Sequence, residues 1–336
     1  MTEHHELAER MEEAARRIRE LKVEPRLAFE ASRLLPTDLG ALWGGSPLAR
    51  EKSYRSEMIE QWTQALRLVL DGLRWQGQII VSREGVVVEL DGIRLHADRG
   101  HRFFRKSGWP AGTPLFERLS RIRPRPKKVI DVGANIGDVA LLFACKFPEA
   151  KIVAVEASSE NVAEFERNRS LQTFATDHIT LIHAAVTDRD GIVDITVGAG
   201  GMNTVLVEQG LERLHSHGVT GVEQVRAITL DTVIEAAGGG PIDFLKIDIE
   251  GAEPLLADAL VRHAGEIMTI YIECSVFNTL EAYVDLNDRL QDAGYAVFDS
   301  KMRPISEPTT WLASALATVP SVDLWYVHRD ADANSQ

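Results

Sequence analysis

Short apolar runs and longer amphipathic stretches alternate along the C-terminal part of the chain. The short runs predict strands, and the stretches with apolar residues three and four positions apart predict helices. Such alternation is typical of a largely parallel sheet covered by helices on both faces, so we predict an α/β fold. The predicted strands lie near 128–132, 151–155, 179–183, 243–248 and 267–272, and the predicted helices near 137–146, 159–169, 253–262 and 279–292.

The N-terminal part has a different pattern, which predicts an accessory region over residues 1–109. Residues 4–35 and 53–73 are predicted helices, and the first carries a clear apolar stripe. That stripe can pack on the second helix or on a partner chain, so a homodimer through these helices is one expectation. Residues 79–98 alternate between turns and predict a β-meander of short strands.

The remaining residues, 110–336, form the second predicted domain. Near 191–230 this domain departs from the regular alternation with an insertion that contains two predicted strands and, between them, a Gly-rich polar segment. Insertions of this length and composition often act as lids or binding loops. We therefore expect the insertion to lie near a bound ligand.

The composition excludes several classes of partner. With 45% hydrophobic and 26% charged residues, the chain resembles an ordinary globular protein. Its net charge of -13 argues against nucleic-acid binding and against adhesion to anionic membranes. No apolar stretch approaches the ~18 residues that span a bilayer. Its two cysteines lie in apolar segments, which predicts free thiols instead of disulfides or a zinc site. We expect a cytoplasmic protein without membrane insertion.

A glycine-rich turn after the first strand of the second domain predicts a nucleotide-type pocket. Gly133 and Gly137 permit a tight turn and close approach of a ligand to the backbone. The helix that follows presents free N–H groups at its N-terminus. Glu156 lies nineteen positions after Gly137, at the end of the second strand. A carboxylate at this place can accept hydrogen bonds from both hydroxyls of an adenosine ribose. Asp131 and Asn135 make the pattern more specific than the turn alone.

Two classes of cofactor could use this pocket. A dinucleotide fold usually has the sequence G-x-G-x-x-G, whereas the turn from Gly133 to Gly137 lacks the central glycine. Asp131 would repel a pyrophosphate but suits the ammonium of a methionine moiety. S-adenosylmethionine therefore fits better than NAD. An NAD-dependent oxidoreductase and a non-catalytic adenosyl-binding protein are the alternatives.

Five segments together resemble the FkbM-type methyltransferases. They are Asp131-Val-Gly-Ala-Asn-Ile-Gly137, Val155-Glu156, Leu230-Asp231, Leu245-Lys-Ile-Asp-Ile-Glu-Gly-Ala-Glu253 and Ile272-Glu273. The resemblance covers roughly residues 110–328. It implies a class I methyltransferase fold, with a Rossmann-like, mostly parallel, seven-stranded sheet whose antiparallel end comes from strands near 295–298 and 323–328. It also implies S-adenosylmethionine binding and O-methylation of a sugar, polyketide or other natural product.

Side chains near two strand ends are candidates for the acceptor chemistry. Open α/β sheets bind ligands at the carboxyl ends of their strands, where the strand order reverses. Asp248 is the first candidate for a general base, and Glu273 would lie beside it. Glu250 and Lys246 could contact the acceptor, although a helix-terminal charge and a buried ion pair, respectively, also explain them. Adjacent carboxylates could hold Mg²⁺, but without an Asp-rich loop no metal is expected.

The insertion and the donor turn supply the other candidates. His215 and His217 are suited to general base catalysis near neutral pH, and Asn203 could contact the acceptor. Ser158, Ala185 and Asp248, whose carboxylate would face the donor, complete the predicted donor-binding set, and Ser158 could cap the helix after Glu156 or reach the ribose. The sequence therefore predicts a methyltransferase of small molecules that acts by O-methylation or, alternatively, by N-methylation.

Overall fold

The computed structural model describes residues 78–82, 85–96, 112–197 and 221–332, and the chain divides into two compact units. In the first unit, the described strands form an antiparallel meander of β1 (Gln78–Ser82), β2 (Gly85–Leu90) and β3 (Ile93–His96). This confirms the predicted meander. The helices expected over 4–35 and 53–73 lie outside the described residues, and the boundary expected at 109 stays a prediction.

Within the described residues, the second unit contains two sheets and most of the helices. Its strands are β4 (Lys128–Val132), β5 (Lys151–Glu156), β6 (Ile179–His183), β7 (Ala185–Thr187), β8 (Gly191–Val197), β9 (Gly221–Thr229), β10 (Phe244–Ile247), β11 (Thr269–Ser275), β12 (Tyr295–Phe298) and β13 (Ser321–His328). The larger sheet has the order β12-β13-β11-β10-β4-β5-β6. β13 runs antiparallel to both of its neighbours, and the other six strands of this sheet share one direction. The predicted α/β fold with a mostly parallel seven-stranded sheet is confirmed.

The described helices include the four that were predicted near 137–146, 159–169, 253–262 and 279–292. In chain order, the described helices are α1 (Gly112–Ile122), α2 (Asp138–Lys146), α3 (Ser159–Ser170), α4 (Leu230–Ala236), α5 (Ala257–Arg262), α6 (Leu280–Asp292) and α7 (Pro308–Leu316). The stretch predicted as one helix over 253–262 begins as the 3₁₀-helix Glu253–Leu256 and continues as α5. The sequence did not predict α7. Among the described residues, no helix is both long enough and apolar enough to cross a membrane.

Successive side chains of the central strands point to opposite faces of the large sheet, and the two faces differ in polarity. On one face the side chains are apolar and fully buried, as with Ile130, Leu245 and Ile270. On the other face, strand register aligns Asp131, Lys246 and Tyr271 in one row across β4, β10 and β11. Central parallel strands are usually apolar on both faces. The ionisable row therefore identifies the face on which a functional site lies.

The order of the strands places this row at a crevice. From β4 the chain continues to β5 and β6 on one side, and later to β10 and β11 on the other. The strand order thus reverses at β4, and ligands of open α/β sheets bind at the carboxyl ends of the strands at such a point. The turn after β4 and the loops after β10 and β11 form the edge of this crevice.

The smaller sheet of the second unit comes from the predicted insertion. Its order is β7-β9-β8, and β8 and β9 are the two strands expected within 191–230. Ala185, Ile195 and Val225 form its small apolar core. The segment 198–220 between β8 and β9 lies outside the described residues, so the lid stays a prediction.

Candidate functional site

The turn after β4 depends on left-handed backbone at three of the predicted positions. Gly133, Asn135 and Gly137 have φ of 78°, 51° and 88°. A Cβ on Gly133 would overlap the carbonyl oxygen of Asp248, and a Cβ on Gly137 would overlap the ring of Phe165 on α3. The first glycine therefore lets the turn pack against the loop after β10. The second lets α3 pack against the start of α2.

Glu156, at the end of β5, is buried and holds the turn through its carboxylate. Its Oε2 accepts from the backbone N–H of Asn135 at 2.8 Å. Its Oε1 accepts from the N–H of Ser158 at 2.9 Å and from Nδ2 of Asn161 at 3.1 Å. Since a carboxylate oxygen accepts about two hydrogen bonds, capacity for one more is left at Oε2, where the sequence suggested contacts to two ribose hydroxyls. Burial raises the pKa of Glu156, and these hydrogen bonds oppose that rise.

Asp131 and Lys246 form a buried ion pair in the row across the sheet. Lys246 Nζ lies 3.1 Å from Oδ1 of Asp131 and 3.6 Å from Oδ2 of Asp248, and it donates to the carbonyl of Gly133 at 3.0 Å. Burial raises the pKa of Asp131, and the neighbouring Lys246 opposes this effect. Oδ2 of Asp131 is buried and has no hydrogen-bond partner among the described residues. That orphaned oxygen is the candidate partner for a ligand's ammonium, and both side chains of the pair are almost fully buried, at 1% exposed for Asp131 and 6% for Lys246.

Three carboxylates meet beyond this pair. One oxygen from each of Asp248, Glu250 and Glu273 lies within 4.8 Å of the others. Glu250 is buried, and Oε1 of Glu273 accepts a hydrogen bond from Oγ of Ser321 at 3.1 Å. Such a group can accept a proton or a cationic group, or hold a hard cation. The expectation that no metal is used stays a prediction.

Glu253 holds the loop after β10 from within. It is fully buried, and its carboxylate accepts hydrogen bonds from the backbone N–H groups of Ile249 and Gly251, both at 2.9 Å. The hydroxyl of Tyr283 on α6 donates to it at 2.7 Å. Burial raises the pKa of Glu253 to about 7, although these hydrogen bonds lower it.

The other predicted residues fall in different places. Ser158 is buried at the start of α3, and its Oγ accepts from the N–H of Asn161 at 3.5 Å, as expected of a cap. Ala185 lies in β7, paired with Ala227 in the smaller sheet, and it is buried. The remaining predicted residues lie outside the described part of the chain, namely Asn203, His215 and His217.

Several residues of the site were not predicted. Asp323 on β13 lies directly opposite Glu273. Tyr271 is buried on β11, two positions before Glu273. Its pKa is raised well above the usual value by burial and by the charges of Asp323, Asp248 and Glu273. The available signal in the sequence was that Asp323 is a polar residue two positions before Trp325. Nothing in the sequence identified its partner, because the pairing depends on the register of β13 against β11.

Glu156→Ala is expected to weaken S-adenosylhomocysteine binding by at least ~10-fold, because a hydrogen bond to a charged group contributes ~1.5–3 kcal/mol. The change also leaves the N–H of Asn135 without its acceptor. Isothermal titration calorimetry measures the affinity. Glu166→Ala removes an exposed carboxylate from α3, the helix after Glu156, and should bind as the wild type does. Unchanged affinity of a folded Glu156→Ala protein contradicts a role for Glu156 at the ribose.

Most of the site lies within a part of the chain that matches one protein family. Residues 131–297 match the family profile described as the Methyltransferase FkbM domain. This range contains the turn after β4, Glu156 and the three carboxylates. No curated protein matches the chain.

Several solved methyltransferase structures are similar to this chain. Methyltransferase FkbM from Methylobacillus flagellatus KT is 14% identical, with 60% of this chain and 43% of that one covered and a TM-score of 0.37. A SAM-dependent methyltransferase from Agrobacterium tumefaciens is 14% identical over 72% and 69%, with a TM-score of 0.40. Aeropyrum pernix fibrillarin, in complex with natively bound S-adenosyl-L-methionine, is 13% identical over 75% and 83%, with a TM-score of 0.33. The chain thus spans less than half the length of the first of these proteins.

Proposed function

Since this chain is a methyltransferase with an FkbM domain at residues 131–297, we propose that it O-methylates a hydroxyl group of a small molecule. The acceptor is a sugar, a polyketide or another natural product. The observation that supports this proposal is the position of Asp248. Its backbone packs against Gly133 of the turn after β4, and its carboxylate faces Glu250 and Glu273.

The residues around the turn fit S-adenosylmethionine as the methyl donor. Oδ2 of Asp131 is a buried oxygen without a hydrogen-bond partner among the described residues, and it suits the donor's ammonium. Oε2 of Glu156 can accept a hydrogen bond from one ribose hydroxyl. When bound, S-adenosylmethionine supplies a methyl group already activated by its sulfonium. The chain's task is therefore to hold the acceptor oxygen in line and to remove its proton.

Asp248 is the group that would accept this proton. It follows β10 at the crevice, and its side chain is only partly buried, so an acceptor hydroxyl can reach it. Glu250 and Glu273 add negative charge beside it, which favours proton uptake. Lys246 at 3.6 Å opposes this effect but is itself paired with Asp131. An ammonium would also bind in such a cluster, so N-methylation of an amine is the second candidate.

Incubation of the purified protein with methyl-labelled S-adenosylmethionine tests the proposal. The acceptors are paired sugars and polyketides that differ only in a hydroxyl or an amine at one position. Mass spectrometry detects the added methyl, and NMR identifies the atom that carries it. Transfer to oxygen supports the proposal, and transfer to nitrogen alone supports the second candidate. Transfer to neither, by a protein that binds the donor, contradicts both for these acceptor classes.

S-adenosylhomocysteine is expected to raise the melting temperature of the apo protein, whereas NAD is not. A ligand at ~100 times its dissociation constant stabilises the folded state by ~2.7 kcal/mol, which for a chain of this size corresponds to roughly 4 °C. Differential scanning fluorimetry measures both shifts at equal ligand concentrations. A shift with NAD alone contradicts the proposed donor.

Two further expectations stay predictions. The cytoplasmic location rests on composition alone, and cell fractionation tests it. The homodimer rests on residues 4–35 and 53–73, which lie outside the described part of the chain. Light scattering of the full chain and of a variant without residues 1–77 tests the dimer.

A further inference from the structure

A buried series of hydrogen bonds joins the loops that follow β10 and β11. The backbone N–H of Ser275 donates to the hydroxyl of Tyr283 at 3.1 Å, and this hydroxyl donates to Oε2 of Glu253 at 2.7 Å. Glu253 also accepts from the N–H groups of Ile249 and Gly251. Glu253 and Tyr283 are 0% and 1% exposed, and their polar side-chain oxygens are engaged with each other and with backbone N–H groups.

The loop held by this network has unfavourable backbone geometry. Glu250 has φ of 54° and Gly251 has φ of 103°, both in the left-handed region. A non-glycine residue keeps such a conformation only where its surroundings enforce it. Glu253 holds this conformation through its hydrogen bonds to the N–H groups of Ile249 and Gly251. Asn278, from the loop after β11, also holds it, since its Nδ2 donates to the carbonyl of Gly251 at 2.8 Å.

The same loop packs directly on the donor turn. A Cβ on Gly133 would overlap the carbonyl oxygen of Asp248 and lie 3.3 Å from Cγ2 of Ile249. The N–H of Ile249 is one of the two that Glu253 holds. If Glu253 no longer holds the loop and the loop moves, Gly133 must therefore move with it.

We propose that Glu253 and Tyr283 are positioning residues that set the conformation of residues 248–252 and, through Gly133, the affinity of the site for its donor. This inference rests on the donor site proposed above. Both residues act through the loop, and neither contacts the donor or the acceptor. The fully engaged network corresponds to the ionised carboxylate, because all three of its partners donate hydrogen bonds to it.

Protonation of Glu253 weakens the network, since the new O–H opposes one of these donors. The titratable groups that face Glu253 are Tyr283 on α6 and Cys274 on β11. Its pKa of about 7 is raised by burial and lowered by the hydrogen bond from Tyr283. Donor affinity should therefore fall as the pH falls through about 7. Loss of the Tyr283 hydroxyl should move the midpoint of this change to higher pH.

Calorimetric titration with S-adenosylhomocysteine at a series of pH values tests the proposal. Above the midpoint, we expect Glu253→Gln to weaken binding about 10-fold and Tyr283→Phe about 3-fold or more. Tyr283→Phe should also move the midpoint upward, which loss of stability alone would not do. Since Tyr283→Phe removes a single oxygen, it is informative even if Glu253→Gln does not fold.

Tyr295→Phe is the matched control. This buried hydroxyl donates to the carbonyls of Ala264 and Ile267 at the other end of the sheet, so its loss costs stability without affecting the loop. If Tyr283→Phe and Tyr295→Phe lower the melting temperature alike and both keep the wild-type affinity and midpoint, the network is only structural and the inference is wrong. If the wild type binds no S-adenosylhomocysteine, the proposed donor site fails together with it.

Discussion

Asp248→Asn is expected to lower the rate of methyl transfer by about 10²–10⁴-fold, because loss of a general base has an effect of this size. Asparagine keeps the shape of the side chain but cannot accept a proton from the acceptor. Affinity for S-adenosylhomocysteine should change much less than the rate, to within about 3-fold of the wild-type value, because asparagine keeps the size of the side chain and an oxygen that accepts hydrogen bonds. Single-turnover kinetics with saturating donor measure the rate, and calorimetry measures the affinity.

Asp258→Asn is the control for this substitution. Asp258 lies on α5 with its side chain 79% exposed, paired with Arg289 away from the crevice, so its turnover should match the wild type. A wild-type rate for Asp248→Asn means that another group is the base, with Glu273, His215 and His217 next to be tested. If EDTA abolishes the activity and Mg²⁺ restores it, Asp248, Glu250 and Glu273 are metal ligands and the metal-free expectation is wrong.

Gly133→Ala is expected to destabilise the fold by about 2–5 kcal/mol and to reduce donor binding by at least about 10-fold. The estimate joins two effects, a left-handed backbone at φ of 78° and overlap of the new methyl with the carbonyl of Asp248. Because backbone cannot move aside as a flexible side chain can, the turn or the loop must shift. Chemical denaturation measures the free energy of unfolding, and calorimetry measures donor affinity.

Gly239→Ala separates the two effects. Gly239 has φ of 58°, but a Cβ there would meet no atom within 4 Å. It should therefore show only the backbone cost of about 1–2 kcal/mol, with normal donor affinity. If Gly133→Ala behaves like Gly239→Ala in both measurements, the close approach of the turn and the loop is not needed for the site.

The row of ionisable residues explains why so much of the site could be predicted. Lys246 in β10 and Asp248 directly after it alternate with the fully buried Leu245 and Ile247, and side chains two apart on a strand share a face. Strand ends of a parallel sheet lie at one edge, so Asp248 and Glu273 could be expected to be neighbours without coordinates. The structure agrees, since their carboxylates lie within 4.8 Å of each other.

The partner that each charged side chain takes could not be predicted in the same way. Lys246 could serve an acceptor or an ion pair, and the sequence left both open. The distance of 3.1 Å to Asp131 favours the pair. Glu156 was expected to serve two hydroxyls, yet three donors of the protein itself already occupy most of its capacity. Which partner a carboxylate takes depends on every donor within reach, and those come from several segments.

The sequence by itself determined the α/β fold, the turn from Gly133 to Gly137 and the strand-end acids, because periodicity, glycine and strand direction are local properties of the chain. Only the tertiary structure decided that Glu253 and Tyr283 hold the loop after β10, and that Asp323 lies opposite Glu273. These contacts join segments that are distant along the chain. Helix packing and strand register bring them together, and both are settled only when the whole sheet has formed.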